Sequence, residues 1–252
     1  LPKADEAVTR PFTGDWSEYR EGLKAYYDKR ELSDALKDAK GACDPEKMRA
    51  LIRSHHAVGD WRFEIIEHLR RAMRGRKVLE LGCGYGYWTW HLAQVAESVV
   101  ATDISENLLA GARGIVDGAN VSFRMLDGSD ISKAKGEFDA VVSVNMINHF
   151  PRAVASSAVA HVNERLGGGG RVFLAGEHYC GWRRRMYRKQ GSEDFVSARD
   201  DARSGRVEIV DDPYEPHEIR WMVGPDVQDV FVGDSLGYWW VRYTVKEGVD
   251  RQ

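Results

Sequence analysis

The sequence predicts an α/β fold, a mostly parallel β-sheet with helices on both faces. Three observations predict it. From Lys77 onward, near-continuous apolar runs alternate with segments of helical spacing, the pattern of parallel strands covered on both sides. The first run, Val78-Leu79-Glu80-Leu81, empties into Gly82-Cys83-Gly84-Tyr85-Gly86. The second, Ser98-Val99-Val100-Ala101-Thr102, ends at an acid, Asp103. A strand, a bare-backbone turn, a helix and a strand ending in an acid make a site for an adenosine-bearing ligand.

Taken in order, residues 1 to about 50 are polar and punctuated by Trp16, Tyr19, Tyr26 and Tyr27. Within them 17–29 and 44–53 read as helices, with Asp44-Pro45 as a cap followed by a first-turn proline. Apolar residues at 61, 63, 65, 66 and 69, with Arg and Glu between them, make 61–73 an amphipathic helix leading into the first strand. Strands are expected at 77–81, 97–102, 120–125, 138–144 and 171–175, and helices near 85–94, 105–115 and 152–166. Four glycines, Gly167 to Gly170, separate the last helix from the strand after it. Strands near 227–233 and 238–245, joined by a turn-like linker, are expected as an antiparallel pair at the sheet edge.

The stretch from 177 to about 222 breaks the rhythm. It is too long for an ordinary connection and is expected to carry local structure that serves the site. Within it, Trp182-Arg183-Arg184-Arg185-Met186-Tyr187-Arg188-Lys189 is the strongest local charge feature. It reads either as a contact for a substrate phosphate or carboxylate, or as the wet face of a helix with Trp182 and Met186 packed inward. The chain thus divides into a helical lid and lead-in helix over 1–74, and a core over 75–252 with a substrate-side insertion at about 178–222.

Bulk properties exclude several classes. Charged residues are 30% of the 252 and the formal net charge is −3, so no global basic field points to nucleic acid. Cys43, Cys83 and Cys180 are widely spaced, which matches neither a zinc pattern nor a disulfide framework and suits a reducing compartment. No apolar stretch approaches the roughly 20 residues of a membrane span, and the start shows no signal-peptide pattern. A cytoplasmic protein without a membrane partner is expected.

The loop spacing is Gly-x-Gly-x-Gly, with neither the Lys-Ser/Thr of a triphosphate loop nor the third-glycine spacing of a dinucleotide site. Asp103 suits ribose hydroxyls, or a cap for the helix starting at Ser105. Asp127 suits an adenine amine, or is a solvated loop acid. Glu80 either anchors the glycine loop or touches the ligand's amine. Cys83 reads as a small residue packed in the turn.

These stretches resemble the seven-stranded, S-adenosylmethionine-dependent methyltransferases of the Rossmann-like class I. Glu80-Leu81-Gly82-Cys83-Gly84-Tyr85-Gly86 is similar to the family's first motif, and Asp103 falls at its ribose-binding acid. Leu126-Asp127-Gly128 resembles its adenine-side motif, 138–144 its fourth strand, and 166–172 the lead into its fifth. The resemblance covers roughly 75–177. It implies strand order 3-2-1-4-5-7-6 and S-adenosylmethionine held by Glu80, Gly82, Cys83, Gly84, Tyr85, Gly86, Asp103, Ile104, Asp127, Gly128 and Asn145. It also implies transfer of a methyl group to a hydroxyl or amine of a small molecule, as in specialised metabolism such as antibiotic biosynthesis.

By family placement the end of the fourth strand faces the reaction centre, which makes His149 the first candidate base. His178 and Tyr179, at the end of the fifth strand, are further catalytic candidates. Tyr26, His56, Asn148, Trp182 and Arg185 are the expected acceptor contacts. No histidine, cysteine and acid cluster has metal-ligand spacing, so no metal is predicted. A monomer or homodimer acting on a small molecule is expected. A polypeptide or RNA methyltransferase, or a binding module without catalysis, stands as the alternative.

Overall fold

A computed structural model describes residues 16–29, 36–37, 43–58, 60, 62–177, 186–188, 195–201, 205–235 and 238–248. Its centre is a seven-stranded sheet built from β1 (Lys77–Leu81), β2 (Ser98–Asp103), β3 (Val121–Met125), β4 (Ala140–Val144), β5 (Arg171–Glu177), β9 (Val227–Ser235) and β10 (Tyr238–Val245). A separate antiparallel sheet joins β6 (Met186–Arg188), β7 (Phe195–Asp201) and β8 (Gly205–Val210). The large sheet runs β3-β2-β1-β4-β5-β10-β9. With the three inserted strands set aside, this is the expected order 3-2-1-4-5-7-6. Only β10 runs against the other strands, lying antiparallel to both β5 and β9.

The burial of each strand follows its place. All five residues of central β4 are buried, as are the last four of β1. At the edge, β3 keeps only partial cover. On β10 the pleat alternates, so Trp239, Val241 and Tyr243 enter one core and Trp240 the other. The first core is closed by α6 (Arg152–Leu166) and α7 (Pro216–Met222), the second by α3 (Phe63–Met73), α4 (Tyr87–Ala93) and α5 (Glu106–Ile115).

Two more helices precede these, α1 (Trp16–Lys29) and α2 (Pro45–His55). Asp44 caps α2 by accepting from Glu46 N and Lys47 N at 2.9 and 3.1 Å, with Pro45 in the first turn. Helix α3 buries Ile65, Ile66, Leu69, Ala72 and Met73, the stripe that its periodicity announces. It begins at Phe63, and Trp61 lies outside the described residues. Helix α4 starts at Tyr87 rather than near 85, because Gly86 is left-handed (φ 83°) and cannot extend a right-handed turn. The helical reading of the basic run does not hold for its described part. Met186–Arg188 is a strand, with Tyr187 paired to Val196. The reason is cross-strand pairing, which a helical wheel of three residues does not anticipate.

One buried group strains this core. His91 on α4 is fully buried, and neither ring nitrogen has a hydrogen-bond partner among the described residues. It is caged by the rings of His56, Tyr87 and Trp90, with centroids 5.1 to 5.6 Å away. Burial pushes its pKa from 6.5 down to about 3. The unfolded chain therefore binds this proton first as pH falls. The stability is intact above pH 6.5 and drains away toward pH 3, by up to about 1.4 kcal/mol per unit. We predict that His91→Leu flattens this acid limb, gaining about 2 kcal/mol on the parent at pH 5 over its offset at pH 8. Urea denaturation across pH checks it, and superimposable acid limbs would refute it.

Candidate functional site

The carboxyl ends of the parallel strands open into one cavity of about 610 Å³. Its floor is the loop after β1. Cys83 N donates to Thr102 O at 2.8 Å and Gly84 N donates to Asp103 Oδ2 at 2.9 Å, which folds the loop back onto β2. Gly84 is left-handed (φ 56°), and a Cβ built on it would meet nothing within 4 Å. The main chain there lies open to the cavity. At Gly86 a Cβ would instead meet Val116 Cγ2 at 2.9 Å, so this glycine serves the approach of α4 to α5 and does not line the cavity.

Glu80 also sits behind the loop rather than in the cavity wall. It is buried, and Thr89 Oγ1 of α4 donates to its Oε2 at 2.6 Å. Burial pushes its pKa up to about 8, so the group is largely protonated at neutral pH. Its observed contact is with α4, which favours anchoring over contact with a ligand amine. Cys83 is buried and its thiol is held well above its ordinary pKa by burial, then by the nearby acids. It is a packed turn residue.

Asp103 and Ile104 line the cavity at the end of β2. Asp103 accepts from Gly84 N through one oxygen and from Ser105 N, at 3.0 Å, through the other. The cap of α5 is Ser105, whose Oγ accepts from Leu108 N. Burial holds Asp103 above the usual carboxylate range despite these bonds. Asp127 and Gly128 line the wall after β3. Asp127 is no solvated loop acid. Its Oδ2 takes Arg20 Nη1 of α1 at 2.9 Å, and its Oδ1 takes Ser129 N and Oγ at 3.0 and 2.7 Å.

Asn145, Asn148 and His149 line the cavity beyond β4. Asn145 is one of two non-glycine residues with positive φ among those described, and its Nδ2 donates to Tyr238 Oη at 2.6 Å. Asn148 Nδ2 donates to Asp212 O at 3.0 Å. His149 Nδ1 lies 2.9 Å from Val210 O. A carbonyl only accepts, so Nδ1 carries a proton; in the neutral form of the ring the lone pair is then on Nε2. Phe150 lies beside it, with Trp16 edge-on at 5.1 Å.

Two of the expected acceptor contacts do not line the cavity, and their chain neighbours do. Tyr26 packs with Leu23 and Ile209 outside the cavity, and Tyr27 lines it. Both are helical neighbours of Leu23, three and four residues on, and the seating of α1 turns Tyr27 rather than Tyr26 to the cavity. His56 caps the end of α2 and pairs with Glu67 at 2.8 Å, while His55 continues the face of Met48 and Leu51 into the cavity. His178, Tyr179, Trp182 and Arg185 lie outside the described residues.

Sequence reasoning missed Arg20, Arg62, Tyr87 and Tyr238, all of which line the cavity. Arg62 forms a fork with Asp60 at 2.8 and 2.7 Å, which holds the Asp60 carboxyl down at about 2. Tyr87 Oη lies 3.1 Å from His55 Nδ1. Tyr238 had one available signal, its place opposite Glu177 at the strand-end rim. Among the described residues no three His, Cys, Asp or Glu side chains gather as for a metal ion, and no helix is long and apolar enough to cross a membrane.

Residues 78–170 match a family model described as a methyltransferase domain. Over those residues the chain is similar to a methyltransferase domain, and its large sheet has the strand order that the class I resemblance implies. It is similar to a ubiquinone biosynthesis O-methyltransferase of Bordetella avium, 32% identical over 99 residues, or 38% of this chain and 41% of the relative. The same-named protein of Methylococcus capsulatus is 31% identical over 127 residues, 49% of this chain and 52% of the relative. The chain thus spans about half the length of these curated relatives. Among solved structures, the DhpI–SAH complex aligns with a TM-score of 0.59 at 23% identity, covering 85% of this chain and 99% of that one. A protein of Pyrococcus horikoshii aligns at 0.60 and 20% identity, covering 88% and 99%. At such identities the likeness is one of fold.

The protonation of Glu80 behind the methyltransferase loop yields a prediction. Its folded value lies above the ordinary carboxyl value of 4.5, so its contribution is full below pH 4.5 and is lost as pH rises to about 8. Glu80→Gln imitates the protonated acid. It is expected to remove that loss, gaining roughly 2 kcal/mol on the parent between pH 5 and pH 7 in denaturant titrations. A parallel pH dependence in the two proteins would show that Glu80 is ionised in place.

Proposed function

We propose that this methyltransferase domain moves a methyl group from S-adenosylmethionine to a hydroxyl or amine of a small molecule. One observation carries the reading. The glycine loop, Asp103 and Asp127 stand at the ends of three adjacent strands, β1, β2 and β3, and all three line one cavity. The residues fit the ligand. The open main chain at Gly84 accommodates its close approach, Asp103 retains capacity for ribose hydroxyls, and Asp127 accepts from the adenine amine. The names of the relatives, O-methyltransferases of ubiquinone biosynthesis, support the same reaction class, as does the DhpI–SAM–HEP complex among the structural neighbours.

When bound, the sulfonium supplies an electrophilic methyl group. The chain's own residues bind, orient and move a proton. A cavity of about 610 Å³ has room for the adenosyl ligand and a small acceptor. Asn145 and Asn148 sit one and four residues beyond β4 and orient the two ligands against each other. His149 Nε2 takes the proton of the acceptor hydroxyl or amine, because Nδ1 is committed to Val210 O. Trp16, Tyr27 and Phe150 give an apolar aromatic wall that excludes water from this step. Helix α1, which brings Trp16, Arg20, Leu23 and Tyr27 to the cavity, serves as its lid. The acceptor is a metabolite rather than a polypeptide or nucleic acid, and the protein acts in the cytoplasm as a monomer or homodimer.

The direct test is incubation with methyl-labelled S-adenosylmethionine and metabolite pools, read by mass spectrometry. Labelled product of one added CH2 is expected from the parent and not from Gly84→Arg, whose side chain enters the cavity. Label in polypeptide alone would overturn the small-molecule assignment. His149→Ala is expected to cut turnover by about 10²-fold or more, with calorimetric affinity for S-adenosylhomocysteine unchanged. Parent-like turnover at every pH would remove His149 as the base.

A further inference from the structure

Helix α1 presents two adjacent stripes of i, i+4 spacing, and each is attached to a different end of the cavity. Trp16 and Arg20 reach the loop after β3, through Ser129 Oγ at 3.3 Å and Asp127 Oδ2 at 2.9 Å. Tyr19, Leu23 and Tyr27 form the stripe beside it, turned toward the end of β8. Leu23 packs on Ile209, and the Tyr27 ring lies 5.9 Å from that of His149. Between them, Val210 N donates to Tyr19 Oη at 2.7 Å. The same residue's carbonyl takes the Nδ1 proton of His149 at 2.9 Å.

We infer that Tyr19 is a positioning residue for the methyl-transfer base, acting through both main-chain groups of Val210 to hold His149 in the tautomer whose Nε2 is free of hydrogen. This rests on the proposed role of His149. Val210 is the last residue of β8, paired in register with Val196, and two residues on Asp212 is bonded twice to Asn148. Tyr19 adds a restraint on the Val210 N–H from a different part of the chain, 191 positions away. The two bonds tie the orientation of the base to the seating of α1. With α1 docked, Val210 N–H is paired and its carbonyl meets Nδ1. With α1 displaced, the Val210 N–H loses its partner, its main chain is held less tightly by β7 and the Asp212 bonds alone, and the imidazole exchanges tautomers more readily. A ring with its proton on Nε2 presents a donor to the acceptor hydroxyl and cannot take its proton. The lid and the base are one mechanical unit.

The test needs no acceptor molecule. The full chain is labelled with ¹⁵N-histidine, and ring nitrogens are correlated with ring protons at a pH well above the ordinary histidine range. His149 is assigned by the resonances lost in His149→Ala. In the parent, Nδ1 is expected as the protonated, pyrrole-type nitrogen and Nε2 as the pyridine-type one. Tyr19→Phe deletes one oxygen and keeps the ring packing. It is expected to shift His149 toward a tautomer mixture and to speed Val210 amide exchange about tenfold, the loss of one hydrogen bond. Affinity for S-adenosylhomocysteine should stay within about twofold of the parent. A parent carrying the proton on Nε2 overturns the inference without any variant. So does a Tyr19→Phe protein whose His149 tautomer and Val210 exchange both match the parent. Full turnover of His149→Ala would instead remove the base itself, a failure of the functional reading distinct from these.

Discussion

The hydrogen bond from Gly84 N to the Asp103 carboxylate is the constraint from which the cavity takes its shape. It joins the turn after β1 to the end of β2, and it works only because Gly84 adopts a left-handed conformation that turns its main chain to the cavity. The neighbouring bond, Cys83 N to Thr102 O, repeats the attachment one residue earlier. Together they set the distance between the loop floor and the acid beside it. Asp103 is therefore a structural part of the loop, and its burial is partly offset by the main-chain donors whose hydrogens it accepts.

Behind that floor the protein tolerates groups that burial drives to their neutral forms. Glu80 is raised and His91 is lowered, each because its charged form has lost water. Both touch α4, the helix that begins immediately after the loop. Their pH dependences have opposite sign, one contribution being lost as pH rises from 4.5 to about 8 and the other as it falls from 6.5 to about 3. Such groups are costly in a core and persist where a loop must be held in one conformation.

The front of the cavity depends on parts remote in sequence. Helix α1 crosses from Asp127 to Val210, and the β8–α7 segment holds the turn that carries His149. Asp212 contributes twice, accepting from Asn148 Nδ2 at its carbonyl and donating its N–H to Asn148 O. This side of the cavity is thus assembled from the N-terminal helix, the end of β4 and the segment after β5. The glycine-loop side comes almost wholly from one contiguous stretch of alternating strands and helices.

That division explains what could be read in advance. The strands of the large sheet, helix α6 and the glycine loop with its two acids follow from local patterns, because each depends on neighbours a few residues away, whereas the order of the strands was implied by the family resemblance. Apolar continuity marks a covered strand, and a turn that needs left-handed backbone calls for glycine. Tyr27 instead of Tyr26, and His55 instead of His56, were beyond that reach, since one residue of helical rotation decides which side chain faces the cavity and only docking sets the rotation. Arg20 on Asp127, Tyr238 on Asn145 and Tyr19 on Val210 were equally hidden. The sequence by itself determined the sheet and the loop that floors the cavity, through short-range periodicity and backbone stereochemistry. The tertiary structure alone decided which tyrosines, histidines and arginines enclose it, because those contacts join residues whose separation along the chain carries no local signal.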